Sequence, residues 1–170
     1  MKILKGVSFV TQINVRSKML RIGVFADVSN LYFCCKEKFQ KKINYLKLLQ
    51  FATGENSCIA AVTYGIRSTD SGNFIKALEN IGWKVNFRVP KGFLDGSKKA
   101  DCDTHMILDV VRYTELLDSV VLCTADGDFA PLIEWLHEKR RKVIVIGCNI
   151  SHELTEIADT SLEITEKILE

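Results

Sequence analysis

Five apolar runs of strand character alternate with segments of helical character, and this alternation limits the fold of the 170-residue chain more than any other feature. Continuous β-branched runs such as "VIVIG" are typical of strands buried on both faces of a parallel sheet. The alternation predicts a three-layer α/β/α sandwich with a mainly parallel central sheet and right-handed crossovers. The predicted strands are 22–27, 58–66, 84–89, 119–126 and 142–147, with a short final strand at 161–165.

Segments of helical spacing lie between the predicted strands. "YLKLLQFAT" closes a first helix, and "SGNFIKALENIGW" supplies a second that ends at Gly82. The third and fourth helices are "DTHMILDVVRYTELL" and "DFAPLIEWLHEKR", and the fifth is "SHELTEIAD" with Ser151 as its N-cap. We therefore expect one domain over residues 21–170.

Residues 1–20 are predicted to be an N-terminal extension or an additional edge strand. Lys5, Gln12 and Asn14 interrupt its apolar stretch, which is not typical of a signal peptide. No run in the chain approaches the roughly 20 apolar residues of a membrane span, so no membrane association is expected. Exposed apolar residues in this extension could serve a homodimer.

The six cysteines contain no CxxC pair and lie mostly within apolar runs. Buried, reduced thiols are the simplest interpretation, and they indicate a reducing compartment, which predicts a cytoplasmic location. The net charge of +2 is too small to mark a strongly nucleic-acid-binding surface, so any basic footprint must be local.

Acidic residues stand where two predicted strands end and where one helix begins. Asp27 ends the first strand and Asp126 ends the fourth, and ligands of open parallel sheets bind at that carboxyl edge. At roughly 100° per residue, Asp103 projects onto the centre of the apolar stripe of its helix, and Asp109 falls on the flank. We expect Asp27, Asp103 and Asp126 to meet, with Asp128 beside them.

Structural alternatives exist for two of these acids. Asp103 alternatively caps the N-terminus of its helix, and Asp128 precedes an apolar helical pattern for which it is an equally good cap. The sequence indicates no structural partner for Asp27.

Carboxylates held close together repel one another unless a cation lies among them. Oxygen ligands select a hard ion, so Asp27, Asp103 and Asp126 predict a site for Mg²⁺ or Mn²⁺ rather than zinc. Such ions can activate water for phosphoryl displacement. The three histidines are scattered and predict no competing nucleophile–base arrangement.

Three blocks, "VFADVSNLY", "KADCDTHMILDV" and "TADGDFAPLIEWLHEKRRKVIVIG", resemble the signature blocks of the NYN domain family in its LabA-like branch. That family belongs to the PIN-like ribonuclease superfamily, which implies a PIN-like, Rossmann-like fold. The likeness runs from about residue 21 to about residue 165. Val28 stands where the family usually has glycine, and Thr124–Ala125 where it commonly has serine–glycine, but no carboxylate is removed.

The resemblance implies metal-dependent hydrolysis of RNA phosphodiester bonds. By it, Asp27, Asp103 and Asp126 are metal ligands, and Asp128 is a further catalytic acid. Asn30 is a neighbour that orients Asp27 or a phosphate, and Ser29 lies beside it among the expected substrate contacts. Asp109 also falls where family members often carry an acid.

Basic residues around the irregular segment 90–101 are candidate contacts for single-stranded RNA. Arg88, Lys91, Lys98 and Lys99 could bind phosphates, with Phe87 and Phe93 interleaved, although a solvated loop is an equal interpretation. "KRRK" (139–142) is predicted to be a solvated turn at the opposite end of the sheet. The alternative function is a non-catalytic module that uses the same fold to bind RNA or a protein.

Overall fold

The computed structural model of the protein describes residues 19–92, 98–99 and 102–170. The predicted extension therefore lies outside the described residues, except for its last two positions. A six-stranded sheet forms the centre, with strand order β3-β2-β1-β6-β7-β8 and every neighbouring pair parallel. Its strands are β1 (Arg21–Asp27), β2 (Ser57–Ile66), β3 (Lys84–Arg88), β6 (Ser119–Cys123), β7 (Lys142–Gly147) and β8 (Thr160–Glu163). The short strands β4 (Lys91–Gly92) and β5 (Lys98–Lys99) pair separately and are antiparallel.

Six α-helices in the described residues connect and cover these strands. They are α1 (Val28–Phe39), α2 (Tyr45–Thr53), α3 (Gly72–Ile81), α4 (Asp103–Tyr113), α5 (Ala130–Glu138) and α6 (His152–Ile157). None of the helices in this part of the chain is long and apolar enough to span a bilayer.

The two faces of the sheet carry separate hydrophobic cores, because successive strand residues point to opposite sides. Val24 and Ala26 face a core formed with α1, α2 and α3, whereas Phe25 faces a core formed with α4, α5 and α6. All three side chains are fully buried. The predicted three-layer α/β/α sandwich with a mainly parallel sheet is confirmed.

The strand predictions agree with the structure to within a few residues, apart from the end of the fourth strand at Cys123. The helical prediction differs at three places. The first helix is two helices, because Gln40 ends α1 in the left-handed conformation (φ 55°) and Asn44 caps α2. The third helix ends at Tyr113, and a 3₁₀ turn follows over Thr114–Leu116. The fourth helix starts at Ala130, after a 3₁₀ turn over Gly127–Phe129.

The strand order reverses between β1 and β6. From β1 the chain builds outward through β2 and β3, and after α4 it returns to β6 beside β1 and builds outward through β7 and β8. In open α/β sheets the carboxyl edge at such a switch point is the usual ligand crevice. Asp27 ends β1, and Asp126 follows β6, so the two acids flank this crevice.

Each of the six cysteines lies in the described part of the chain and carries a free thiol. Four are buried, and burial is the main reason why the pKa of Cys123 rises to about 12. These thiols are therefore packing residues of the two cores rather than nucleophiles.

Candidate active site at the carboxyl edge

Asp27 caps the helix that follows its strand. Its carboxylate Oδ1 accepts a hydrogen bond of 3.0 Å from the backbone N–H of Asn30, and α1 begins at Val28. The sequence indicated no structural partner for this acid, so the cap is a correction to that expectation. It arises because the strand leads into the helix without a loop, which brings the carboxylate over the first free N–H groups.

The Asp27 carboxylate is buried, with 8% of the residue exposed. Burial raises its pKa above the ordinary value of 3.8, the N–H groups of Asn30 and Ser29 partly oppose that rise, and the negative charge of Asp126 adds to it. Within the described residues, no Lys, Arg or His forms an ion pair with Asp27 or Asp126. The edge therefore holds two neighbouring carboxylates whose shared ionisation is unfavourable.

Asp126 caps the 3₁₀ turn that precedes α5. Its Oδ1 accepts a 3.0 Å hydrogen bond from the backbone N–H of Asp128. The sequence offered Asp128 as the cap; the structure assigns this role to Asp126, two residues earlier. The Asp128 side chain is exposed, and the Asp126 side chain is half-buried.

Asn30 joins the two acidic segments. Its side-chain Oδ1 accepts a 2.9 Å hydrogen bond from the backbone N–H of Ala125, immediately before Asp126. Because Asn30 also donates its own backbone N–H to Asp27, one residue holds the end of β1 against the loop after β6. Ser29 is half-buried beside it. That Asn30 orients Asp27 or a phosphate stays a prediction, because its bond to Asp27 comes from the backbone N–H.

Asp103 is the first residue of α4 and is half-buried. The residue in the N-cap position is Cys102, which makes no side-chain capping bond, so Asp103 itself is not the cap. The Cys102 thiol donates to the backbone carbonyl of Gly65 at 3.1 Å, which fastens the start of α4 to the carboxyl end of β2. Asp103 therefore lies on the same edge of the sheet as Asp27.

The burial and the hydrogen bonds of Asp109 could not be predicted from the sequence. Only 7% of the residue is exposed, and its carboxylate accepts hydrogen bonds from Tyr64 (3.0 Å) and Asn86 (3.4 Å) and pairs with Arg112 (3.0 Å). The buried face of α4 is centred on Met106 and Val110, so it extends further toward Asp109 than a projection centred on Asp103 implies.

Of the predicted basic contacts, the structure describes the side chain of Arg88. Its Nη2 lies 2.6 Å from Nδ1 of His105, which links the end of β3 to the first turn of α4. The side chains of Lys91, Lys98 and Lys99, together with Phe93, lie outside the described residues. The "KRRK" segment leads into the amino end of β7, away from the acids, as expected.

The donor chemistry of this edge fits a hard divalent ion. No group of three or more Asp, Glu, His or Cys residues in the described part of the chain is close enough to hold a metal ion. Mg²⁺, however, is usually held by one or two carboxylates together with waters and substrate phosphates. Asp27 and Asp126 would supply such a pair, whereas Asp103 does not join them within reach of one ion.

The chain is similar to several known proteins. The sequence profile of the NYN domain family matches residues 21–165. The low amplitude and bright protein LabA of Synechococcus elongatus is 26% identical over 162 residues, which cover 86% of this chain and 84% of LabA. The uncharacterized protein MJ0482 of Methanocaldococcus jannaschii is 32% identical over 83 residues, which cover 46% of this chain and 35% of that protein.

A solved structure shares the whole architecture. The crystal structure of VPA0982, a protein of unknown function from Vibrio parahaemolyticus, matches with a TM-score of 0.84 and 30% sequence identity. The match covers 91% of this chain and 98% of that one. Together with the profile match over most of the sequence, these relations show that the chain belongs to the NYN domain family, whose domains are of the PIN-like nuclease type.

Proposed function

We propose that the protein is a divalent-metal-dependent ribonuclease that hydrolyses RNA phosphodiester bonds at the carboxyl edge of its sheet. The observation that carries the proposal is the buried Asp27 carboxylate beside Asp126, with a raised pKa and no cationic side chain of the described residues paired to either acid. A bound Mg²⁺ or Mn²⁺ would neutralise these charges, polarise a phosphoryl oxygen and activate water.

Within this proposal the residues have separate roles. Asp27 and Asp126 are the inner ligands, because Asn30 fixes the segments that carry them. Asp103 lies at the start of α4 on the same edge of the sheet, outside the reach of an ion shared by Asp27 and Asp126. Asp128 is exposed beside Asp126 and is available to accept a proton from the attacking water.

Single-stranded RNA is the proposed substrate and partner. Arg88 stands at the carboxyl end of β3, on the same edge as the acids, where its guanidinium can contact a phosphate. Lys91, Lys98 and Lys99 follow it in the chain and are proposed to add phosphate contacts. Binding should therefore weaken as the salt concentration rises.

A non-catalytic binding module is the second candidate, and one observation favours it. Both Asp27 and Asp126 cap helical turns, so both acids have a structural reason to be present that does not require catalysis. Such a module would bind RNA or a protein with the acids intact and would cleave nothing.

Cleavage of a labelled single-stranded RNA with Mn²⁺ or Mg²⁺ separates the two candidates. The variants are Asp27→Asn and Asp126→Asn, since asparagine retains the capping oxygen while removing the charge. The matched control is Glu138→Gln. Glu138 is exposed at the end of α5, where the chain turns into the amino end of β7 on the opposite edge of the sheet. We expect cleavage by the wild type and the control, and at least a hundredfold loss in both aspartate variants.

EDTA should abolish the cleavage, and added Mn²⁺ should restore it. If all four proteins bind RNA equally and none cleaves it, the binding module is correct. Cleavage that persists in both Asp→Asn variants would identify a contaminating nuclease or a different site and would reject the proposal.

A further inference from the structure

A cavity of about 300 Å³ opens on the face of the sheet covered by α1, α2 and α3. Its walls combine aromatic rings, aliphatic side chains and two charged groups. The lining residues are Val28, Tyr32, Lys42, Ile43, Tyr45, Phe74 and Glu170.

The cavity lies beside the acidic edge. Val28 directly follows Asp27, Tyr45 is the first residue of α2, and Phe74 lies in the first turn of α3. Because α1 directly follows β1 and α3 follows β2 after a five-residue loop, their first turns lie near the carboxyl ends of these strands. Burial is the main cause that raises the pKa of Tyr45, but the Asp27 carboxylate is among the negative groups that raise it further.

Exposed aromatic surface is the main feature of the cavity. Tyr32 is 39% exposed and Phe74 is 37% exposed, whereas Tyr45 and Ile43 are buried and form the floor. The rings of Tyr45 and Phe74 pack edge to face with centroids 5.6 Å apart, and Phe87 supports Phe74 from behind at 6.0 Å. Phe74 is therefore a supported ring that still offers surface to a ligand.

Charged side chains lie in the lining of the cavity and beside it. Lys42 is an exposed cation of the cavity lining, and the Lys36 ammonium lies 5.4 Å from the centroid of the Tyr32 ring. Aromatic rings beside ammonium groups are the combination that proteins use to stack bases and hold the backbone of single strands. The Glu170 carboxylate can accept a hydrogen bond from an exocyclic amino group of a base.

The volume is at the lower end of the roughly 300–1,000 Å³ of small-molecule pockets. A cavity of this size is suited to one flat heterocycle, and it is too small to accept the face of a partner protein's helix. We propose that this cavity binds one nucleobase of the RNA strand whose phosphodiester lies at Asp27 and Asp126. The inference rests on the proposed ribonuclease function and adds to it a base contact that fixes the strand next to the acids.

The test is a double-mutant cycle between a protein ring and an RNA base. Binding is measured by fluorescence anisotropy in the Asp27→Asn background, which prevents cleavage under the proposed mechanism. The probes are a labelled eight-nucleotide single-stranded RNA and a set of the same RNA with one abasic position each. The protein variants are Phe74→Leu and Tyr32→Leu, with Phe51→Leu as the control, because Phe51 is 47% exposed on α2 and outside this cavity.

We expect Phe74→Leu and Tyr32→Leu each to weaken binding of the intact RNA about tenfold, as loss of one base stack does. For one abasic RNA the two variants should bind within about twofold of their parent. Phe51→Leu should behave like the parent with every RNA. Phe74→Tyr, which keeps a ring, should retain binding within about twofold, and equal melting temperatures exclude a folding defect.

Unchanged affinity in Phe74→Leu and Tyr32→Leu would overturn the nucleobase site, as would an equal loss with every abasic RNA. If the wild type still cleaves RNA in that case, the ribonuclease proposal stands without this contact. If no variant binds RNA and the wild type cleaves none, both proposals fail.

Discussion

The phenolic hydroxyl of Tyr64 donates a 3.0 Å hydrogen bond to Oδ2 of the buried Asp109. Tyr64 is also the residue of β2 that pairs in register with Asp27 of β1. The contact therefore ties α4, which begins at Asp103, to the strand next to the first acid. The network includes Asn86 on β3 and Arg112 one turn along α4.

Replacing Tyr64 with phenylalanine should destabilise the fold by about 1–2 kcal/mol, because the buried Asp109 carboxylate then loses a donor that water cannot easily replace. Urea denaturation measures this change. The control is Tyr32→Phe, since that hydroxyl is exposed and accepts a 3.3 Å bond from Lys36. If Tyr32→Phe lowers the unfolding free energy as much as Tyr64→Phe does, the buried contact has no special role in stability.

Asn30→Ala tests the link between the two acidic segments. The substitution leaves the backbone N–H of Ala125 without its acceptor, which should cost about 1–3 kcal/mol of unfolding free energy. Asn30→Asp keeps an acceptor at the same place and should lose less of this bond, although it adds a negative charge beside Asp27. Equal stability of Asn30→Ala and the wild type would show that the bond contributes nothing.

A divalent ion should stabilise the folded protein, because the ion binds the folded site and not the unfolded chain. At ten times its dissociation constant, a one-site ligand adds about 1.4 kcal/mol. For a chain of this length that corresponds to a rise in melting temperature of about 3–6 °C. Thermal melting with and without Mn²⁺ measures it.

The comparison variants for this melting experiment are Asp27→Asn and Asp126→Asn, with Glu138→Gln as the control. Asp27→Asn and Asp126→Asn should lose most of the Mn²⁺-dependent rise in melting temperature, while the control keeps it. A rise of the same size in all four proteins would indicate ion binding elsewhere on the surface.

Much of the fold could be predicted from the sequence, because each central strand is an apolar run bounded by turn residues or helical patterns. The division between α1 and α2 could not, since it depends on Gln40 adopting a positive φ where glycine would be the usual signal. The end of the fourth strand could not be predicted either, because the apolar run continues past it. Its last predicted residues, 124–126, form the loop that carries Asp126.

The acids themselves were visible in the sequence, but their hydrogen bonds were not. Asp27 and Asp126 act as caps because each stands between the end of a strand and the start of a helical turn. If the helical turn started two residues later, a different residue would be the cap. The environment of Asp109 depends on Tyr64 and Asn86, which lie 45 and 23 residues away in the chain. Such contacts follow from the strand order, which a local pattern does not contain.

Glu163 should make stability depend on pH. Burial alone would raise the pKa of its carboxyl, but hydrogen bonds from the N–H of Ile150, the ammonium of Lys38 and the N–H of Asn149 together lower it below the ordinary 4.5. The folded state therefore favours the ionised form. Its contribution is present above about pH 4.5 and is lost as the pH falls through the lowered folded-state pKa.

Glu163→Gln tests this linkage by urea denaturation at several pH values. The stability difference from the wild type should be greatest at pH 7, at under about 1 kcal/mol because the pair is partly exposed, and should shrink on acidification. In the Lys38→Met background the difference should be smaller at every pH. A difference that stays constant down to strongly acidic pH would contradict the assigned pKa direction.

Gly147 lets the end of β7 approach the loop that carries Asp126. A Cβ at this position would lie 2.7 Å from the backbone oxygen of Thr124 and 2.9 Å from Cγ1 of Ile150. Gly147→Ala should therefore move the Thr124 backbone and cost about 1–3 kcal/mol. The matched control is Gly72→Ala at the start of α3, where an added Cβ meets nothing within 4 Å and alanine favours the helix.

Because Thr124 is two residues before Asp126, the same substitution should also reduce the Mn²⁺-dependent rise in melting temperature. Melting curves of Gly147→Ala with and without Mn²⁺ separate the two effects. The lower melting temperature without the ion measures the packing defect at residue 147. The change in the Mn²⁺-dependent rise measures the displacement of Asp126. If Gly147→Ala is destabilised but keeps the full rise, the loop has absorbed the displacement before Asp126. Ion binding by Asp27 and Asp126 would then tolerate movement of the Thr124 backbone, and it would not depend on the precise position of Asp126.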